Sequence, residues 1–166
     1  MHRIFIIGIV ASGKTTLAKQ LALKLETPWY ELDSVVHHGI GINRYKRSSE
    51  EQYQVLNDMT QNKSWIVEGV YRESYHFLLD SADKIIFLDP PLRVRKIRIL
   101  KRFAKQIFGI EKCNYKPDIK MLKWMFMWTK DFEVNREAFE KMLSNYSSKV
   151  IVLKSKESIK DICEVI

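Results

Sequence analysis

The stretch RIFIIGIVASGKTTLAKQL, residues 3–21, decides the fold of this chain. It contains an apolar run, then a glycine, four further residues and Gly-Lys-Thr, and then leucines at helical spacing. That pattern binds phosphate when it joins a strand to a helix, because the backbone N–H groups of the turn and the positive end of the helix dipole converge there. We therefore expect a strand over 3–7, a phosphate-binding loop and a helix that starts near Lys14. The alternative is a chance match, which the flanking patterns disfavour.

Each side chain of this loop has an expected part. Lys14 reaches the β- and γ-phosphates of a bound nucleotide, and the Thr15 hydroxyl is placed to ligate Mg2+. The remaining expected nucleotide contacts are Gly8, Ala11, Ser12, Gly13 and Thr16. Ala11 is strained if its position needs a positive φ, since only glycine adopts that conformation without cost.

Length and composition restrict the class of protein. The 166 residues suffice for one domain but not for two ordinary ones. An apolar share of 46% with 29% charged residues is typical of a soluble globular protein. No apolar run approaches the roughly 18 to 20 residues that span a membrane, and no export signal precedes the first strand, so we expect a cytoplasmic protein. Cys113 and Cys163 lack metal-ligand spacing and are expected to be reduced.

Two further apolar runs each bring an acid to the carboxyl edge of the expected sheet, where open α/β sheets bind ligands. Asp33 follows the second run, and its alternative role is to cap the next helix. Glu68 follows the third run, where an acid usually serves Mg2+ through water. Gly69 beside it lets a substrate approach the backbone, and Arg72 is suited to a phosphate or carboxylate. The alternative for this segment is a turn followed by a surface cation.

Residues 37–47 are expected to form a mobile loop on the acceptor side. Arg44 and Arg47 are suited to closing on an anionic substrate, and plain solvated charge is an equal alternative. A capping-box pattern then opens a helix that runs to about residue 62.

The net charge of +8 is concentrated on one predicted helix, 92–108. Residues 93–105 contain seven cations and no acid. We expect an apolar inner face of Val94, Ile97, Leu100 or Lys101, and Ala104, with the cations facing outward and Arg95, Arg98 and Arg102 sharing one side. Two interpretations compete: a phosphate-handling face of a nucleotide enzyme and an electrostatic footprint for nucleic acid. A solvated face explains such a run in ordinary proteins.

The late part of the chain, 118–145, is predicted to form one or two helices. They carry an apolar stripe of Met121, Trp124, Met125, Trp128 and Phe132. We expect the stripe to pack against the body, and a substrate-contacting wall is the alternative. Five strands are expected, at 3–7, 29–32, 64–67, 84–89 and 149–153, with a last helix at 157–166. Strands interleaved with helices predict a parallel sheet that is covered on both faces.

This arrangement resembles the small P-loop kinases related to adenylate and shikimate kinase, and more closely the bacterial DNA topology modulation proteins. The resemblance rests on residues 8–16, 30–33, 65–71, 85–89, Arg98, Lys101, Arg102, 124–128 and 149–153. It implies a three-layer α/β/α P-loop NTPase fold whose five-stranded parallel sheet has the order 2-3-1-4-5. It also implies a helical lid after the fourth strand, at about 98–130, and an acceptor-binding arm at about 34–62, both inserted in a single domain of residues 1–166.

Three residues depart from the pattern of these relatives. A third glycine usually stands at the position of Ala11, and Asp usually stands at the position of Glu68. The nucleotide kinases usually have a proline at the position of Tyr71, so the resemblance implies no specific adenylate kinase activity.

The expected function is transfer of the ATP γ-phosphate to a small molecule, with Mg2+ held by Thr15, Asp33 and Glu68. Lys14 neutralises the phosphates, Asp33 orients or deprotonates the acceptor hydroxyl, and Arg98 and Arg102 act as lid arginines. The nucleotide base is expected near Arg102 and Ser155.

The acceptor, a nucleotide, nucleoside or similar hydroxy metabolite, is expected between Asp33, the 44–47 loop and Arg72. Two other functions stay open: a nucleic-acid-binding topology modulation protein that uses the 93–105 face, and a nucleotide-binding module without turnover. A monomer and a homodimer are both compatible with the sequence.

Overall fold

The computed structural model describes residues 2–39, 45–111, 113, 115, 117–155 and 162. In chain order its elements are β1 (Arg3–Gly8), α1 (Lys14–Leu25), β2 (Trp29–Glu31), α2 (Leu32–Val36), β3 (His37–His38), β4 (Tyr45–Lys46), α3 (Ser49–Thr60), β5 (Trp65–Gly69), a 3-10 helix (Glu73–Tyr75), α4 (Phe77–Ser81), β6 (Lys84–Leu88), α5 (Leu92–Ile107), α6 (Ile119–Ser144) and β7 (Val150–Leu153). Arg44 and nearly all of the expected last helix at 157–166 lie outside the described residues.

Five strands form a parallel sheet in the order β2-β5-β1-β6-β7. Counted along the chain without the small β3–β4 pair, this order is 2-3-1-4-5, so the predicted topology is confirmed. β1 lies in the centre, and Ile6 is opposite both Glu68 and Ile86. Because the strands are parallel, their carboxyl ends meet at one edge of the sheet.

Two buried clusters cover the two faces of the sheet. Alternate residues of β1 point into each one: Phe5 and Ile7 into the first, Ile4 and Ile6 into the second. This period of two is what a strand buried on both faces requires. The helix residues of the first cluster come from α2, α3, α4 and α6, and those of the second include Leu17 and Leu21 of α1. The expected three layers are thereby confirmed.

The inward face predicted for α5 is wrong. Val94, Ile97 and Leu100 are 37–53% exposed, whereas Arg95 and Ile99 are buried. Arg95 tolerates burial because its guanidinium pairs with Glu133 of α6 and its Nε donates to the Pro90 carbonyl. α5 is therefore rotated so that the face with Arg95 and Ile99, and not the face with Val94, Ile97 and Leu100, packs against the protein.

α6 is a single helix that begins after Asp118, whose side chain accepts a hydrogen bond from Met121 N. Met125 is buried, as the apolar stripe predicted. Trp124 and Trp128, however, are 42% and 45% exposed, and their rings lie 6.3 Å apart, centroid to centroid. The packing prediction is therefore only partly correct.

The segment between α2 and α3 contains more secondary structure than expected. Residues 37–38 and 45–46 pair as antiparallel strands inside the segment expected to be a loop. The capping box predicted for α3 is confirmed, with Glu51 N donating to Ser48 Oγ and Ser48 N to Glu51 Oε2. Among the described helices, none is long and apolar enough to cross a membrane.

Candidate phosphate-transfer site

The loop between β1 and α1 has the backbone that its sequence predicts. Gly13 has φ 106° and Ala11 has φ 60°, so the expected strain at Ala11 is confirmed. Gly8 has no room for a side chain, because a Cβ there would lie 2.5 Å from Ser12 Oγ and 2.9 Å from the Leu88 carbonyl oxygen. Close packing at the end of β1 therefore requires glycine at position 8, and the left-handed conformation before α1 favours glycine at position 13.

Lys14 lies within this loop, and its Nζ donates to the Ile9 carbonyl oxygen at 3.0 Å. Burial lowers the pKa of Lys14, and three nearby carboxylates, those of Glu68, Asp33 and Glu31, oppose this shift. The ammonium is held among acids at the start of a helix, where a phosphate would be its natural counter-ion.

Thr15 and Glu68 meet directly. The Thr15 hydroxyl donates to Glu68 Oε1 at 2.6 Å, and Glu68 is 2% exposed. Burial raises the pKa of Glu68, while the Lys14 charge and the Thr15 hydrogen bond act in the opposite direction. A hydroxyl and a carboxylate so placed are oxygen donors of the type that Mg2+ prefers.

Asp33 stands in the first turn of α2, next to the carboxyl end of β2. The alternative role as an N-cap is wrong, because the cap residue is Glu31, without a side-chain cap bond. Glu31 is directly opposite Glu68 in the sheet and acts on Lys14, yet the sequence analysis missed it. Its signal was available: it is the last residue of a strand and precedes Asp33 by two. Among the described residues, no group of three or more His, Cys, Asp or Glu side chains is arranged to hold a metal by itself.

Gly69 was expected to let a substrate approach the backbone, but its role in the structure is to make room for Leu32. A Cβ at this position would lie 2.6 Å from the Leu32 side chain, so the space is filled by Leu32 rather than kept open for a substrate. Leu32 immediately precedes Asp33, so this contact fixes where α2 starts.

Arg47 was expected to close on an anion, but its guanidinium is used within the protein. Its Nη1 donates to the carbonyl oxygens of Ser34 and Val35 at 2.7 and 2.8 Å. The Arg47 carbonyl in turn accepts from Gln52 Nε2 at 2.8 Å. Arg47 therefore fixes α2, which carries Asp33, and is not directed at an acceptor.

Arg72 is exposed at the start of the 3-10 helix. Its charge and hydrogen bond act to lower the pKa of Tyr75, although burial makes the net shift upward. The Tyr75 hydroxyl donates to Gln52 Oε1. Arg72 thus lies close to Tyr75, whose hydroxyl contacts Gln52 of α3.

Two arginines of α5, Arg98 and Arg102, lie beside the phosphate loop. Arg98 Nη1 donates to the carbonyl oxygens of Ser12 at 2.8 Å and Ala11 at 3.3 Å. A cavity of about 340 Å³ lies between the loop and α5. It is lined by Ala11, Gly13, Lys14, Thr15, Thr16, Arg98, Lys101, Arg102, Lys105 and Glu111. Seven of the expected site residues therefore line this one cavity, whereas Ser155, two residues beyond β7, is not among the lining residues.

No protein-family model matches the chain. The chain is 26% identical over 144 residues to a shikimate kinase of Aquifex aeolicus, a match that covers 72% of this chain and 85% of that protein. Its fold is similar to that of a shikimate kinase from Acinetobacter baumannii, solved in complex with shikimate, with a TM-score of 0.59 at 13% identity over 99% of this chain and 90% of that one. A gluconokinase from Sinorhizobium meliloti aligns with a TM-score of 0.52 at 14% identity over 98% and 87% of the two chains.

The fold is accordingly that of the P-loop kinases. Together with the phosphate loop, these relatives indicate a phosphotransferase of the P-loop kinase group. The likeness to topology modulation proteins stays a prediction.

Proposed function

We propose that this protein is an ATP-dependent kinase that phosphorylates a hydroxyl group of a small metabolite. The observation that carries the proposal is one cavity lined by the phosphate loop and Arg98, with Thr15 of its lining hydrogen-bonded to the buried Glu68. Phosphoryl transfer requires positioned charge more than covalent chemistry, and these groups supply such charge.

ATP would lie along the loop, with its terminal phosphates on Lys14 and on the first N–H groups of α1. Arg98 already lies against the loop carbonyls, so a small shift takes its guanidinium to a phosphate oxygen. The bidentate geometry of an arginine suits an oxygen that gains charge in the transition state.

Thr15 and Glu68 fit Mg2+, since both offer oxygen atoms and Glu68 is buried beside the loop. They would hold the ion with the help of Asp33 or Glu31, directly or through water. When bound, Mg2+ neutralises phosphate charge and keeps the β- and γ-phosphates in a reactive geometry. Thr15 Oγ1 would offer a lone pair to the ion while its proton remains hydrogen-bonded to Glu68 Oε1.

Asp33 would accept the hydrogen bond of the acceptor hydroxyl and so direct its oxygen at the γ-phosphate. The acceptor would enter on the side of Asp33 and Arg72. Small polyhydroxy compounds are the first class to test, because two of the similar proteins are named for shikimate and gluconate as substrates.

ADP release in the presence of ATP and Mg2+, measured over a panel of shikimate, gluconate, other hydroxy acids, nucleosides and nucleotides, tests the proposal. We expect one acceptor class to raise ADP release well above the rate with water alone. Lys14→Ala should reduce this rate by roughly 10²- to 10³-fold, whereas the exposed Lys63→Ala, a matched loss of one charge, should not.

Equal rates for Lys14→Ala and the parent protein would contradict the proposal. Tight ATP binding without transfer to any acceptor would instead identify a nucleotide-binding module without turnover.

A further inference from the structure

Glu111 is the one acidic residue among the described residues that line the cavity beside the phosphate loop. The cations of the lining are Lys14, Arg98, Lys101, Arg102 and Lys105. Because these cations make the electrostatic potential of the cavity positive, the Glu111 carboxylate stands in surroundings that favour a phosphate.

The backbone after α5 directs Glu111 back towards this cavity. Gly109 has φ 69°, and the amide N–H groups of Ile110 and Glu111 both donate to the Lys105 carbonyl oxygen, at 2.8 and 3.2 Å. This is the hydrogen-bonding pattern of a glycine-dependent helix end, which reverses the chain. Glu111 therefore reaches its position through a defined turn.

Glu111 Oε1 lies 3.0 Å from Arg102 Nε, and the two side chains are 37% and 42% exposed. Arg102 Nε is itself buried and has no aligned hydrogen-bond acceptor. The contact is thus an ion pair at short distance without good hydrogen-bond geometry. Such a pair contributes little to stability and is easily exchanged.

We propose that Glu111 is a displaceable internal counter-ion of the nucleotide pocket. It holds Arg102 while no phosphate is bound, and a polyphosphate must replace it on Arg102 in order to bind fully. Glu111 therefore lowers the affinity of the pocket for anionic ligands long enough to reach Arg102. The inference rests on the proposed function only in that the cavity binds the phosphates of a nucleotide.

Titration calorimetry of the full chain with inorganic tripolyphosphate, without Mg2+, tests this inference. Glu111→Gln should bind tripolyphosphate about three- to tenfold more tightly than the parent protein, because the competing ion pair and the repulsion of the ligand are both removed. Glu137→Gln removes the same charge from an exposed position on α6 outside the cavity lining, and should leave the affinity within twofold.

A double-mutant cycle assigns the effect to Arg102. In the background of Arg102→Gln, the further change Glu111→Gln should no longer increase the affinity several-fold, since the partner for which ligand and carboxylate compete is gone. Inorganic phosphate should gain less than tripolyphosphate from Glu111→Gln, because it carries less charge and can bind the loop without replacing Glu111 on Arg102.

Unchanged or weaker binding of tripolyphosphate by Glu111→Gln would overturn the inference; weaker binding would show that Glu111 orients Arg102 for the ligand. Failure of the proposed function gives a different pattern. If the affinity rises in Glu111→Gln but no acceptor is phosphorylated by ATP, the counter-ion is supported and the kinase is not. If neither protein binds tripolyphosphate, the counter-ion inference fails, and the kinase is judged separately by ADP release over the acceptor panel.

Discussion

Two groups of arginines on α5 and α6 show how the position of a charge decides its use. The first group is Arg98 and Arg102 of α5, and the second is Arg95 of α5 with Arg136 of α6. Arg98 and Arg102 line the cavity beside the phosphate loop, and among the described residues Arg98 donates to backbone carbonyls while Arg102 pairs with the partly exposed Glu111. Arg95 and Arg136 instead belong to a fixed network with Glu133 and Asp89.

The fixed network ties three elements together. Arg136 binds both oxygens of Asp89, at the carboxyl end of β6, at 2.8 and 3.0 Å, and also contacts Glu133. Arg95 pairs with the same Glu133, and both guanidinium groups lie over the Phe132 ring, at 5.6 Å from Arg95 and 5.0 Å from Arg136. These bonds raise the pKa of Arg136 and lower that of Glu133, which favours the charged form of both groups. Within the part of the chain that the structure describes, Arg98 has no carboxylate partner and donates to the carbonyl oxygens of Ala11 and Ser12.

The largest effect that separates the two groups is expected from Arg98→Gln. It should reduce turnover by about 10²- to 10³-fold, the usual cost of one donor to a developing charge, with an unchanged free energy of unfolding. Steady-state kinetics and urea unfolding of the same preparation measure both quantities. Arg93→Gln, an exposed cation on the same helix, is the control and should leave both unaltered. A loss of stability in Arg98→Gln would place Arg98 with the fixed group.

The reverse pattern is expected for Arg136→Met. Removal of the cation leaves Asp89 and Glu133 without a shared partner, and Arg136 is about a quarter exposed, so unfolding should become easier by about 2 kcal/mol. Turnover of the folded fraction should change less than twofold. Urea unfolding followed by far-UV circular dichroism gives the first quantity. A variant as stable as the parent but with a much lower rate would show that Arg136 acts in the site.

The smallest effect is expected at Ala11, the loop residue whose carbonyl oxygen accepts from Arg98. Ala11→Gly keeps the left-handed conformation of the loop but relieves the strain of about 1 kcal/mol that it imposes on an alanine, so the variant should be more stable by about 0.5 kcal/mol after the extra entropy of glycine is counted. Ala11→Ser retains the Cβ and should bring no such gain. Thermal unfolding of the three proteins compares them, and a less stable glycine variant would show that the alanine methyl group contributes packing to the loop.

The phosphate loop and the sheet order could be predicted because their determinants are local. Gly8, Gly13, Lys14 and Thr15 are adjacent in the chain, and a strand that ends in an acid places that acid at a known edge. Glu68 was found in this way, and Glu31 could have been.

The rotation of α5 was not predictable from its own residues. The apolar pattern at Val94, Ile97 and Leu100 is as regular as the buried pattern at Arg95 and Ile99, and the deciding partner, Glu133, lies 38 residues further along the chain. The same holds for Arg47 and Gly69, whose parts depend on α2. Long-range partners, rather than local propensity, decide these positions.

The central claim is that the phosphate loop and the Arg98 face of α5 bind one nucleoside triphosphate between them. Equilibrium binding of a non-hydrolysable ATP analogue with Mg2+ tests it most directly, with the parent, Lys14→Ala, Arg98→Gln and Arg136→Met proteins compared side by side. We expect clear binding of the analogue to the parent and to Arg136→Met, weaker binding to Arg98→Gln and little binding to Lys14→Ala. Equal affinity of Lys14→Ala and the parent would contradict it.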